Sequence, residues 1–268
     1  MPNRICLNTS TILPLPLLDK IRLTAETGYD GIELWTRDIL EHISQGGEVR
    51  DVEKAIGDNG LIVPCWISIR RWAEADDDEY PAVIEEARRQ MELAARFHSP
   101  FIIASPPRRP CPVERIISRY RQLLELGRQV GIRPTFEYVS CFRGVPSPAL
   151  AWRILQQIDD VDATMVIDAF HNWNSGATCA DLEAIPVARI SHYHIDDACR
   201  GKPAGTQTDA DRVLPGDGVI DLHEEIRLLR KKGYEGAISL ELFNRELWER
   251  DPREVLGIGL ERIRELLT

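Results

Sequence analysis

Four ionisable side chains stand at the ends of apolar runs in the second half of the chain. Glu137 lies in Thr135-Phe136-Glu137-Tyr138, and Asp168 in Val166-Ile167-Asp168-Ala169-Phe170-His171. His194 lies in His192-Tyr193-His194-Ile195-Asp196-Asp197, and Glu241 in Ser239-Leu240-Glu241-Leu242-Phe243. One such residue is only a strand end reaching water; four in succession predict convergence at one level. Three carboxylates gathered there repel one another and raise each other's pKa, and a divalent cation is the simplest compensation. One imidazole with three carboxylates suits Mn²⁺, Zn²⁺, Co²⁺ or Mg²⁺ better than a soft-metal site. The expectation is one divalent ion held by Glu137, Asp168, His194 and Glu241. His192 and His194 are two apart and share a strand face. His194, nearer the strand end, is the expected ligand, and His192 a packed residue in a layer below. Asp196 is placed either to orient a ligand from behind or to cap a loop.

Residues can converge in this way only if parallel strands deliver them. Short apolar runs suited to doubly covered strands recur at 4–9, 29–35, 61–68, 101–105, 134–139, 164–170, 188–195 and 237–243. Amphipathic helical patterns separate them, such as Ile116, Ile117, Tyr120, Leu123, Leu124 and Val130 stopped by Gly131. The stretches 49–60 and 179–185 read as weaker helices, and 200–211 as a polar loop. Alternating βα units demand a parallel sheet. Eight of them without a linker predict a single-domain α/β fold, a (β/α)₈ TIM barrel over residues 1–268. An open doubly wound sheet is the alternative, but no Gly-x-Gly-x-x-Gly follows the first strand.

Composition sets limits on function. Lys and Arg number 33 against 43 Asp and Glu, a formal charge of −10. Such a field repels phosphate backbones and argues against a nucleic-acid partner. No run approaches the ~18 apolar residues of a membrane span. The start of the chain lacks a signal-peptide pattern. The six cysteines are scattered singly, which reads as reduced thiols and a cytoplasmic location. Assembly into a homo-oligomer is compatible with the sequence.

The strand-end motifs, together with Thr208-Asp209-Ala210-Asp211-Arg212-Val213-Leu214-Pro215-Gly216-Asp217-Gly218, resemble the sugar-phosphate isomerase/epimerase group of xylose-isomerase-like TIM barrels, the group that includes inosose isomerases. The similarity runs over essentially the whole chain, from Cys6-Leu7-Asn8-Thr9 and Gly28-Tyr29-Asp30-Gly31-Ile32-Glu33 onward. The resemblance implies that Glu137, Asp168, His194 and Glu241 are metal ligands and that Glu137 and Glu241 exchange protons at neighbouring carbons. It also implies that His171 and Arg212 hold substrate oxygens. The substrate would be a cyclic polyol ketone or sugar, processed through an enediolate stabilised by the ion.

The chain departs from that group's pattern in the loop Tyr138-Val139-Ser140-Cys141-Phe142-Arg143-Gly144, which puts the substrate's identity in question. Arg70-Arg71 and Arg108-Arg109 follow the third and fourth strands. They could grip a phosphate or carboxylate, or pair with Glu74, Asp76, Asp77 and Asp78. An anion there would fit a sugar phosphate or keto acid better than inosose. Trp35, Trp66, Trp72 and Trp173 are candidate walls for a sugar ring, with Trp35 and Trp66 foremost. Two other activities fit the same residues: a lyase such as 3-dehydroshikimate dehydratase, and a non-catalytic barrel that only binds. A metal-dependent endonuclease is disfavoured by the charge and by a count of only six histidines.

Overall fold

The computed structural model describes residues 3–268; Met1 and Pro2, where the expected barrel begins, lie outside the described residues. Eight parallel strands close into a barrel: β1 (Ile5–Asn8), β2 (Gly31–Trp35), β3 (Trp66–Ile69), β4 (Phe101–Ala104), β5 (Arg133–Phe136), β6 (Thr164–Asp168), β7 (Ile190–Ile195) and β10 (Ile238–Leu240). A small antiparallel pair, β8 (Asp197–Ala198) and β9 (Arg212–Val213), lies outside it. The intervening helices are α1 (Leu17–Thr27), α2 (Thr36–Ser44), α3 (Val49–Asp58), α4 (Tyr80–Arg96), α5 (Val113–Val130), α6 (Pro148–Ile158), α7 (Ala169–Asn174), α8 (Cys179–Glu183), α9 (Leu222–Lys231), α10 (Arg245–Trp248) and α11 (Pro252–Leu266). No helix among the described residues is long and apolar enough to cross a membrane.

The larger apolar core lies between strands and helices, and a smaller one, around Cys65, Ile67, Ile103 and Val166, fills the barrel. Most strands are buried end to end, as a sheet covered on both faces requires. Helix α5 stops where expected, because Gly131 takes φ +85°, which L side chains adopt poorly.

Three expectations shift. The third strand begins at Trp66 rather than 61, and Ile62 keeps only an isolated bridge to Gly31. Helix α2, not anticipated, follows β2 directly; it buries only Asp38 and Ile39, too little apolar surface to read as a helix face. Strands β5 and β10 end one residue before Glu137 and Glu241. Both residues still donate their backbone N–H to a neighbouring strand, Glu137 to Ala104 O at 3.2 Å and Glu241 to Ile195 O at 3.3 Å.

Candidate metal centre and substrate cavity

Register places the central residues. Asp168 pairs across the ladder with His194, His194 with Ser239, and Asn8 with Glu33. Side chains that point inward from these positions meet over the barrel's C-terminal end, where βα-loop sites form. One oxygen each from Asp168 and Glu241 and one nitrogen of His194 lie within 4.8 Å of one another.

The imidazole is oriented from behind. His194 Nε2 lies 3.1 Å from Glu33 Oε2; burial would lower the imidazole's pKa, but Glu241 and Glu33 hold it well above its ordinary value, and with Nε2 engaged by Glu33 it is Nδ1 that an ion would meet. That Nδ1 is buried and makes no hydrogen bond. It faces Glu241 Oε2 at 3.3 Å and Asp168 Oδ2 at 3.7 Å. An orphaned imidazole nitrogen between two carboxylate oxygens, with its other nitrogen held by a carboxylate, is a donor set that fits a divalent ion. Glu137 stands in the same cavity but outside the three-residue group, and accepts a 3.1 Å hydrogen bond from Ser105 Oγ.

Asn8 ties the back of the site together. Its Nδ2 donates to Glu33 Oε2 at 2.7 Å and to Glu241 Oε1 at 2.8 Å, and its Oδ1 accepts from Trp35 Nε1 at 2.8 Å. His192 lies fully buried against Glu33. Burial alone would raise the Glu33 carboxyl, but His192 and His194 hold it well below the usual range.

Arg212 is the buried counter-charge. Its Nη1 donates to Asp168 Oδ2 at 2.9 Å, to Glu241 Oε2 at 3.2 Å and to Asp196 Oδ2. Its Nη2 reaches His171 Nε2 at 3.0 Å, and His171 Nδ1 lies 3.0 Å from Ser140 Oγ. A guanidinium only donates, so His171 accepts from it and is neutral; burial lowers its pKa in the same direction. Asp196 also accepts the Phe170 N–H at 2.8 Å. It therefore fastens Arg212 and the start of α7, rather than orienting His194. Asp168 caps α7 through the His171 N–H at 2.7 Å.

The glycine-rich block earns its place by holding Arg212 over the barrel. Arg212 opens β9, which pairs with β8, and Asp197 in β8 accepts from the N–H groups of Gly216, Gly218 and Ile220 at 3.0, 2.9 and 2.9 Å. A Cβ on Gly218 would collide with the Ala198 carbonyl and the Asp197 carboxylate.

The site opens into a cavity of about 1010 Å³, lined by Glu137, Glu241, His171, Arg212, Trp35, Arg70 and Arg108 among others. Trp66 is not among its lining residues. It is the first residue of β3, fully buried in the outer core with its ring 5.2 Å from Phe97. Its neighbour Ile67 lines the cavity instead, because adjacent strand residues point to opposite faces. Trp66 as a substrate wall is thereby corrected. Sequence reasoning gave no role to Glu33, Asn8, Ser105 or Arg37. Glu33 carried the signal used for the others, an ionisable residue inside the apolar run Gly31-Ile32-Glu33-Leu34-Trp35.

Burial pushes Glu137 up to about 7 and Glu241 up to about 8. Burial alone would also raise Asp168, but Arg212 and His194 outweigh this and hold it well below the usual range. Two carboxyls near neutrality beside one fixed carboxylate suit proton transfer at a carbon next to a carbonyl.

The structure defines a (β/α)₈ barrel with a carboxylate–imidazole centre under a deep cavity. Residues 21–266 match the family model for the xylose isomerase-like TIM barrel, and the chain belongs to that family. It is 26% identical to the inosose isomerase of Halalkalibacterium halodurans over 282 residues, spanning 99% of this chain and 96% of that protein. It is 23% identical to a 3-dehydroshikimate dehydratase of Pseudomonas aeruginosa over 232 residues, spanning 85% of this chain and 36% of that protein. The crystal structure of IOLI protein with a binding zinc atom superposes with a TM-score of 0.91 at 23% identity, over 98% of each chain.

Proposed function

We propose that this chain is a divalent-metal-dependent isomerase or epimerase of a polyol ketone or sugar. The observation that carries the reading is the orphaned Nδ1 of His194 facing Asp168 and Glu241, with Glu137 in the same cavity. The ion, held by Asp168, His194 and Glu241 with Glu137 completing the set, would supply Lewis-acid polarisation of a carbonyl oxygen. Glu137 and Glu241 flank the reacting carbons; one removes the α-proton and the other returns a proton to the neighbouring carbon. Arg212 places positive charge where negative charge develops on oxygen. His171, whose Nε2 is occupied by Arg212, acts by fixing that guanidinium. Trp35 supplies an aromatic wall. The 26% identity to an inosose isomerase, over nearly the full length of both chains, supports the reading.

A second reading is loss of a hydroxyl after the same proton abstraction, as in a 3-dehydroshikimate dehydratase. The similarity to such an enzyme and the arginines of the cavity favour it. A panel of inosose, ketohexoses, hydroxypyruvate and 3-dehydroshikimate, assayed with Zn²⁺, Mn²⁺, Co²⁺ and Mg²⁺, separates the two. Solvent deuterium entering a recovered ketose or inosose supports isomerisation; an ultraviolet-absorbing aromatic product from dehydroshikimate alone supports the lyase. No turnover of any member, with stoichiometric ligand binding, would mark a barrel that only binds.

A further inference from the structure

Part of the wall of this cavity is cationic. Arg37 in α2, Arg70 after β3 and Arg108 in the loop after β4 all line it. The guanidinium carbons of Arg37 and Arg70 lie 4.2 and 5.4 Å from the Trp35 ring centroid, and that of Arg108 lies 5.2 Å from the Phe142 ring centroid.

Beyond Glu137 and Glu241 four acidic residues line the cavity, and all but Asp76 are engaged elsewhere. Glu79 pairs with Arg71. Glu74 accepts the backbone N–H groups of Arg108 and Arg109 at 2.9 and 3.3 Å, and Asp209 pairs with Arg212 at 3.0 Å. Among the described residues Arg37 has only Asp38 as an ion-pair partner, at 3.7 Å, and that carboxylate is already taken by Lys20 at 3.3 Å and by Thr9 Oγ1 at 2.6 Å. Arg70 uses Nε on Ser68 Oγ at 3.2 Å, and among the described residues its Nη groups make no hydrogen bond. Among the described residues, neither Arg70 nor Arg108 pairs with a carboxylate.

Guanidiniums sharing one wall repel each other. Burial lowers the Arg70 pKa, and Arg108 and Arg37 lower it further, while Glu137 opposes them. The arrangement stands against the chain's overall charge of −10. An anion among the three would relieve the repulsion and satisfy planar donor pairs suited to carboxylate or phosphate oxygens.

We propose that Arg37, Arg70 and Arg108 form an anion subsite that binds a carboxylate or phosphate ester carried by the substrate. The substrate class is then an anionic sugar or polyol derivative rather than a neutral one. The inference rests on the cavity being the substrate site of the proposed isomerase. Glu137 lines the same cavity as the three arginines, so the anionic group and the reacting carbons share it.

The test is a calorimetric titration of the full chain, as purified, with inorganic phosphate and separately with succinate, at constant ionic strength. Saturable binding of at least one is expected. Arg70→Ala and Arg108→Ala should each weaken it about tenfold or more, equivalent to ~1.4 kcal/mol. Arg71→Ala, which removes a side chain already paired with Glu79, should leave it unchanged. Phosphate alone binding marks a phosphate ester, and succinate alone marks a sugar acid or keto acid. No saturable binding of either anion, or equal affinity in Arg70→Ala and Arg108→Ala, would overturn the subsite. The titration involves no turnover, so a negative result leaves the isomerase reading standing, and failure of that reading does not alter the titration.

Discussion

Glu33 accepts from His194 Nε2 at 3.1 Å, although β1 and β10 separate their strands in the barrel. The contact fixes which nitrogen of His194 faces Asp168 and Glu241. A carboxylate behind a metal-binding imidazole raises its basicity and locks its ring, and losing such a partner typically costs ~10–100-fold in metal affinity. Glu33→Gln should therefore weaken Zn²⁺ binding by about that factor, read by competition with a chromophoric chelator. Unchanged affinity would remove Glu33 from the centre.

Arg212 is the one cation that contacts Asp168, Asp196 and Glu241 together, among the described residues, and it does so from a fully buried position. Removing one partner of a buried pair leaves the other charge uncompensated, at a cost of ~3–5 kcal/mol. Arg212→Met should lose about that much in urea denaturation of the metal-free protein at pH 8. The loss should shrink towards pH 5, where the stranded carboxyls take up protons. A loss at pH 8 smaller than ~1 kcal/mol would show that the guanidinium is not the compensating charge.

Glu225 in α9 lies behind the site, accepting from Asn172 Nδ2 at 3.1 Å and from Tyr193 Oη at 2.9 Å. Tyr138 Oη joins Asn172 to the site by donating to its Oδ1 and accepting the Asp168 N–H at 3.2 Å. Burial raises Glu225 to about 8. A raised carboxyl binds more protons folded than unfolded, so its contribution is complete below the ordinary value of ~4.3 and is lost as pH rises through the folded value. Between about pH 5 and pH 8, stability should fall by a few kcal/mol on this account. Glu225→Gln should flatten that slope and exceed the parent in stability at pH 8.5. Parallel pH profiles of melting temperature for the two proteins would refute the assignment.

The legible part of this site was the part that repeats. Glu137, Asp168, His194 and Glu241 each break an apolar run at a strand end, and the barrel brings those ends together because successive parallel strands are neighbours in it. Asn8 was hidden because an amide among apolar residues carries no charge signal. Glu225 was hidden because it reads as one more acid on a helix, and only tertiary packing turns it inward. Trp66 was misplaced by a strand start set five residues too early, which turned a first residue facing the helices into one near the strand's end. The role of Pro215-Gly216-Asp217-Gly218 was visible as a motif, but its mechanism, backbone N–H groups converging on Asp197, appears only in three dimensions.

The proposed isomerisation requires Glu137 and Glu241 to move protons between neighbouring carbons. The most direct measurement is deuterium incorporation from D₂O at the carbon next to the carbonyl of whichever ketone turns over, followed by proton NMR. The metal-loaded parent should incorporate deuterium. Glu241→Gln should abolish incorporation while keeping the circular dichroism spectrum and cooperative unfolding of the parent. Chelation of the metal should do the same, reversibly. Continued incorporation in Glu241→Gln at the parent's rate, or after chelation, would contradict the account.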